Sequence, residues 1–262
     1  VSEKAGIKRA LVTGASSGIG REFAMQLAQQ GYTLVGVARR EDHLKELMSE
    51  LSGEGHSYLV ADLAAPSDLE TLCEALNENH FSLLINNAGF STFEPFYKSD
   101  IKLQRKILTV NCEALVELSH AFLQQSKSGD ALINLGSIVS YLPTPVQPMY
   151  SASKSFIAAF SECLWDEHRK RDVYVMGLCP GLTRTEFISG ASGGDEGDGL
   201  PQILFQDTSE VVAEALVALK KRKKSIIVTG WINRLMMIMP RVLTRHRLLK
   251  VLSVIGDPDK AL

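Results

Sequence analysis

A chain of 262 residues, 45% of them hydrophobic, can bury a sizeable core, and its net charge of −2 gives no overall bias toward nucleic acid. Four scattered cysteines (Cys73, Cys112, Cys163, Cys179) have neither paired nor metal-ligand spacing. That argues against a disulfide framework or a metal site and for a reducing, cytoplasmic setting. No apolar signal core precedes Lys8, so secretion is not expected.

The first predicted strand, Arg9–Thr13, runs into Thr13-Gly14-Ala15-Ser16-Ser17-Gly18-Ile19-Gly20, which opens a helix over Gly20–Gln30. A glycine turn between strand and helix is a candidate phosphate cradle: Gly14 for the turn, Gly18 for close approach, Gly20 for tight packing. An ordinary glycine turn is the other reading. The second strand, Thr33–Ala38, ends in Arg39-Arg40 where an acidic residue would hold a ribose 2′-hydroxyl. Arg39, aided by Arg40, therefore predicts recognition of a 2′-phosphate, unless both are simply solvated.

Helix Asp42–Leu51, strand Ser57–Ala61 and helix Ser67–Asn79 follow, then strand Leu83–Asn86 and a long helix over Ile101–Gln125. Strand Ala131–Leu135 leads to Ser137, and helix Ser151–Lys170 follows Tyr150. Strand Val173–Leu178, helix Ser209–Lys221 and strand Ser225–Val228 complete the alternation. The pattern predicts an α/β fold: one Rossmann-type, doubly wound parallel sheet of about seven strands, flanked by helices and occupying 1–262 as a single unit. Ligands are expected beyond the carboxyl ends of the strands.

Tyr150 and Lys154 stand four apart and would share a helix face. A phenol ordinarily titrates near pH 10. A lysine one turn away would lower it, and a serine hydroxyl such as Ser137 would share the substrate oxygen. Taken singly, Ser137 could equally cap the next turn, and Asn111 could be a polar residue that kinks its helix.

From about Lys8 to Val228 the chain resembles the short-chain dehydrogenases/reductases of the NADP-preferring type. The matching pieces occur in order: Thr13–Gly20, Asp62-Leu63, Asn86-Asn87-Ala88-Gly89, Asn111, Ser137, Tyr150 to Lys154, and Pro180-Gly181-Leu182-Thr183-Arg184-Thr185. The resemblance implies NADP(H) as cofactor and hydride exchange between nicotinamide and a carbonyl or alcohol, without a metal. It implies that Gly14, Ser16, Ser17, Gly18, Ile19 and Gly20 face the phosphates, with Arg39 and Arg40 nearby. Asp62 and Leu63 would meet the adenine, and Asn87, Ala88 and Gly89 the adenosine ribose. Asn111 would anchor a water, Ser137 orient the carbonyl and Tyr150 donate the proton. Lys154 would hold the nicotinamide ribose, and Pro180, Gly181, Thr183 and Thr185 the carboxamide. Gly136 departs from the pattern, since many members carry a second serine there. A non-catalytic sensor or scaffold of the same fold is the alternative, and the filled set of four catalytic positions speaks against it.

Apolar residues between these pieces (Phe90, Phe93, Phe96, Tyr141, Leu142, Val146, Met149) predict a hydrophobic ketone, aldehyde or alcohol, with 186–206 as a substrate lid. Helices Ile101–Gln125 and Ser151–Lys170 resemble those that pair subunits in the family, which implies a homodimer or homotetramer. Between Lys220 and Lys250 lie ten Lys or Arg and no acid, leaving the rest of the chain at −12. Lys220–Lys224 reads as the solvated end of a helix. For the apolar and basic extension 230–262 three readings stay open: packing on a partner subunit or the lid, lying on the inner face of an anionic membrane, or docking an acidic carrier protein. No recognition-helix pattern supports nucleic-acid binding.

Overall fold

The computed structural model describes residues 8–145, 147–185 and 202–255. The glycine-rich acidic stretch 189–199, most of the expected lid and Val146 lie outside the described residues.

Seven strands form one parallel sheet: β1 (Arg9–Thr13), β2 (Thr33–Ala38), β3 (Ser57–Val60), β4 (Leu83–Asn86), β5 (Ala131–Leu135), β6 (Tyr174–Cys179) and β7 (Ile226–Val228). Their order, β3-β2-β1-β4-β5-β6-β7, reverses direction between β1 and β4. That reversal opens the crevice expected to hold a ligand. An all-parallel sheet must be covered on both faces, and it is. Leu27 of α1 (Gly18–Gln29), Leu44 of α2 (Glu41–Glu50) and Val211 of α7 (Thr208–Lys221) join one apolar layer. Leu72 of α3 (Pro66–Glu78) and Leu118 of α5 (Ala114–Gln125) join the other.

Two departures from the sequence reading matter for the site. The long helix predicted over Ile101–Gln125 is α4 (Ile101–Leu108) and α5 joined by a π-helical turn, Thr109–Glu113, which contains Asn111. Its extra residue re-aims one polar side chain without ending the helix. Helix α6 spans Pro148–His168, three residues earlier than predicted, because Pro148 needs no helical N–H at the first position. Tyr150 thus sits in the helix's first turn. Polar bonds anchor α6 from beneath: Asn86 Nδ2 donates to Asn134 Oδ1 (3.0 Å), and Asn134 Nδ2 donates to Ser161 Oγ (3.1 Å).

The extension is helical: α8 (Trp231–Met236), α9 (Met239–Val242) and α10 (Arg245–Ile255). No helix among the described residues is long and apolar enough to cross a membrane. The basic run from Lys220 to Lys250 is not one surface. Arg222 lies at the amino end of the sheet, where its guanidinium donates to Gly129 O (2.8 Å), Asp130 O (3.1 Å) and Asp172 O (2.8 Å). The buried Asn233 of α8 instead abuts Gly181, beyond the carboxyl end of β6.

Arg222 is therefore a structural clamp rather than a solvated helix end, and it holds it from a left-handed backbone (φ 49°). Arg222→Ala should lower unfolding stability by about 1–3 kcal/mol, since three carbonyls lose a charged donor. Lys221→Ala, next to it, should stay within about 0.5 kcal/mol. Urea unfolding of the two variants checks this, and equal midpoints would refute the clamp.

Candidate active site

The carboxyl ends of β4, β5 and β6 carry the loops that meet α6. On α6 the buried Lys154 donates its ammonium to Leu135 O of β5 at 2.6 Å. Its Nζ lies 5.5 Å from the centroid of the Tyr150 ring. Ser137, just past β5, shares a hydrogen bond with the Tyr150 phenol, and its Oγ accepts from Val139 N (3.3 Å). The capping role and the contact with Tyr150 thus coexist in one hydroxyl. Asn111 completes the group: its Nδ2 donates to Phe90 O and Ser153 Oγ (both 3.1 Å), and Phe90 N donates to its Oδ1 (3.1 Å). Ser153 Oγ donates in turn to Tyr150 O (2.8 Å), so the π turn is tied to the first turn of α6.

The electrostatics differ from the sequence expectation. Burial pushes the Tyr150 phenol well above its usual value, and the Ser137 hydrogen bond only partly opposes this. Lys154, predicted to lower the phenol, is itself buried and desolvated. Burial brings its ammonium down to about 8 against the opposing influence of the Cys179 and Cys112 thiols. A phenol in this setting keeps its proton at neutral pH, as a proton donor must.

Beneath Ser137 lies a residue the sequence did not single out. The Cys179 thiol, fully buried and pushed up to about 12 by that burial, receives the Ser137 N–H. A Cβ at Gly136 would come within 2.8 Å of Cys179 Sγ. Glycine and thiol are therefore a matched pair, which accounts for the missing second serine. Gly136→Ser should cost about 1–3 kcal/mol of stability by overpacking and slow turnover by displacing Ser137. Adding Cys179→Ala should recover much of both. Thermal melts and turnover of the single and double variants test this; a single variant with unchanged values would mean the contact is slack.

At the nucleotide end, Gly14 (φ 67°) and Gly18 (φ 55°) turn the chain through left-handed conformations that side chains resist. Gly20 is pressed against Gly14 O and Asn87 Nδ2, with no room for a Cβ. The Ser17 side chain makes no capping bond, so the amide donors of the first turn of α1 can serve an anion. Asn87 braces the turn from behind: its Nδ2 donates to Thr13 O (2.9 Å) and Gly14 O (3.3 Å). Thr13 Oγ1 accepts from both Asn87 N and Ala88 N at 3.0 Å. Asn87 therefore shapes the cradle.

The two arginines separate. Arg40, not Arg39, reaches the cradle, donating to Ser17 Oγ (2.9 Å) and Ser16 Oγ (3.3 Å). Arg39 is exposed and acts on Asp62 as a nearby positive charge. Burial raises the Asp62 carboxyl, but the Ala64 N–H, Lys106 and Arg39 together hold it below its usual value. Lys106 donates to Asp62 Oδ2 at 3.1 Å, a partner that sequence reading missed because 44 residues separate them. Leu63 beside Asp62 is buried.

On the opposite rim, Pro180 O accepts from Ile138 N (2.9 Å), joining the ends of β5 and β6. Thr183 Oγ1 donates to Gly181 O (3.2 Å) and Thr185 Oγ1 to Thr183 O (3.4 Å). A Cβ at Gly18 would stand 3.1 Å from Thr185 Cγ2, so this turn closes on the cradle. Glycine turn, unused amide donors, guanidinium and carboxylate fit the dinucleotide that the resemblance implies. No group of three or more His, Cys, Asp or Glu able to hold a metal occurs among the described residues.

The short chain dehydrogenase family model matches residues 8–193. Sulfoacetaldehyde reductase 2 of Chromohalobacter salexigens is 32% identical over 216 residues, covering 80% of this chain and 85% of that one. Human very-long-chain 3-oxoacyl-CoA reductase is 28% identical over 186 residues, 68% of this chain, and the match spans only 60% of its length. Among solved structures, a short-chain dehydrogenase from Sphingobium yanoikuyae in complex with NADPH superposes with a TM-score of 0.79 at 30% identity, covering 91% of this chain and 97% of that one.

Proposed function

The chain belongs to the short-chain dehydrogenase family, and on that premise we propose that it is an NADP(H)-dependent oxidoreductase of hydrophobic ketones, aldehydes or alcohols. The observation that carries this is the group Ser137, Tyr150 and buried Lys154, where a protonated phenol and a serine hydroxyl meet beside an ammonium. When bound, the nicotinamide cofactor supplies the two-electron hydride equivalent that reduces the carbonyl carbon. Ser137 and Tyr150 act on the carbonyl oxygen: both donate hydrogen bonds as negative charge develops there, and Tyr150 gives it the proton. Lys154 holds the ribose side of the cofactor and steadies the resulting phenolate. Asn111 keeps the π turn in register with α6, next to the path by which the proton is replaced.

Glycine turn, Asp62 with Leu63, Asn87–Gly89 and Pro180–Thr185 form the cofactor-binding rim in this reading, and Arg40 selects the 2′-phosphate. The relatives act, by name, on a small charged aldehyde and on very long acyl chains, so family membership leaves the substrate open. Support for an apolar substrate comes from the half-exposed Phe93 and Phe96 on the segment after β4. Leu142 is core, and Phe90 packs against one of the two apolar layers, so neither need face the substrate. Assembly as a homodimer or tetramer is supported by the stacked Phe156–Phe160 pair on α6, whose Phe156 is exposed.

The test is NADPH oxidation across a carbonyl library, with NADH as control. Turnover of bulky apolar carbonyls with NADPH is the expected result. Preference for small hydroxy acids or polyols would overturn the substrate class. Tight NADPH binding with no turnover on any carbonyl would favour the sensor or scaffold.

A further inference from the structure

Helices α8 and α9 form a nearly continuous helical segment: Met237 N donates to Asn233 O (3.1 Å), Ile238 N to Leu235 O (3.0 Å) and Val242 N to Ile238 O (3.3 Å). On such a segment Trp231, Leu235, Ile238 and Val242 fall within about 60° of one another around the axis. All four face outward, 65%, 58%, 49% and 72% exposed. The opposite side is spent on the protein, where Asn233 is buried, donates to Thr229 O (2.9 Å) and abuts Gly181. The stripe is thus not the inner face of a misplaced helix. The helix already has an inner face, and this is a second, apolar one.

Cations flank it. Arg234 is committed to Glu214 (2.7 Å). Arg241, Arg245, Arg247 and Lys250 are exposed and have no ion-pair partner among the described residues. No Asp or Glu occurs from 215 to 256. Four more cations, Lys220, Lys221, Lys223 and Lys224, surround the Arg222 clamp at the other end of the sheet and do not contribute to this surface.

We propose that the α8–α9 stripe and the cations of α9 and α10 seat the protein on an anionic phospholipid bilayer. The stripe is one side chain wide, too narrow to serve alone as the apolar centre of a stable protein–protein interface. A band of Trp, Leu, Ile and Val that enters the headgroup region, beside unpaired arginines that meet lipid phosphates and carboxylates, uses both features at once. An acidic protein partner would use the cations but leave the apolar band unexplained. α8 rests its Asn233 side on the Gly181 turn, so the seated stripe is the outer side of a helix packed on the rim of the site.

Co-sedimentation of the full chain with vesicles tests this, using phosphatidylcholine alone and phosphatidylcholine mixed with phosphatidylserine. Strong partitioning into the serine-containing vesicles, weakened by high salt, is expected. Arg241→Gln/Arg245→Gln should lower it about tenfold or more. Ile238→Asn/Val242→Asn should lower it comparably at any salt, with the circular-dichroism spectrum and thermal midpoint of each variant unchanged. Equal binding to both vesicle types, or indifference to both double variants, overturns the proposal. So does a failure to bind vesicles coupled to binding of polyglutamate, the acidic-partner outcome, or to a self-association that Ile238→Asn/Val242→Asn abolishes, the second-copy outcome. None of these results depends on turnover, so they stand apart from the test of the reductase reading.

Discussion

Tyr150→Phe is expected to lower kcat for carbonyl reduction by about 10²–10⁴-fold, the range usual for removing a positioned general acid. NADPH affinity should hardly change, because the ring and the packing of α6 stay in place. The variant removes the phenol oxygen that carries the proton and bonds Ser137. What remains is Ser137 as a lone donor and whatever proton water supplies. Burial holds the phenol protonated through neutral pH, so the wild-type reduction rate should be flat there. It should fall as pH rises through about 8, where the buried Lys154 ammonium loses its proton and can no longer stabilise the developing phenolate. The sign follows from which form is needed: the charged lysine is the low-pH form, and burial has moved its loss down into the working range. Single-turnover NADPH oxidation against pH, for wild type and variant, measures both effects. A Tyr150→Phe protein that reduces as fast as wild type would remove Tyr150 from the chemistry altogether. The pH limb has its own check in Lys154→Arg, whose guanidinium stays charged and should abolish the fall near 8 at some cost in rate.

How much of this was readable beforehand depends on how far along the chain the partners lie. The Tyr150–Lys154 face and the Gly14–Gly20 turn are legible because helical periodicity and glycine's backbone freedom act over a few residues. The parallel, doubly wound sheet follows from the alternation of short apolar runs with amphipathic stretches. Contacts made across the sheet are not legible in that way. Nothing local to Gly136 announces Cys179, 43 positions on, or says that the missing second serine is the room its sulfur takes. Lys106 bears on Asp62 only because the fold brings α4 to the segment that follows β3. Asn87 matched a motif, yet its amide is spent on Thr13 and Gly14. Those two bonds tie the end of β4 to the turn after β1, and the motif alone does not show them. The same holds for the basic run, which is continuous in sequence and divided in space by β7, with Arg222 at one end of the sheet and Asn233 at the other.

The arginine pair shows where one residue of register decides chemistry. Arg40→Glu is expected to weaken NADPH binding about 10²-fold and to narrow or reverse the preference over NADH, whereas Arg39→Glu should change it far less. Arg40 donates to the hydroxyls of Ser16 and Ser17, on the wall of the glycine turn that faces the end of β2. A 2′-phosphate entering there meets a guanidinium already oriented by two serines, so little side-chain freedom is lost on binding. Removing a charged hydrogen bond of that kind costs about 1.5–3 kcal/mol, and the glutamate adds repulsion against the phosphate dianion. NADH has a hydroxyl at that position, which a carboxylate can accept from. Arg39, exposed like Arg40 but without its bonds to the serines of the cradle, acts on Asp62 only as a nearby charge and offers the phosphate a screened field. Fluorescence titration of both cofactors against the two single variants separates them. Equal losses would mean that the guanidinium at 39 swings into the same pocket, and a larger loss at 39 would return selectivity to the residue that the sequence pattern favoured.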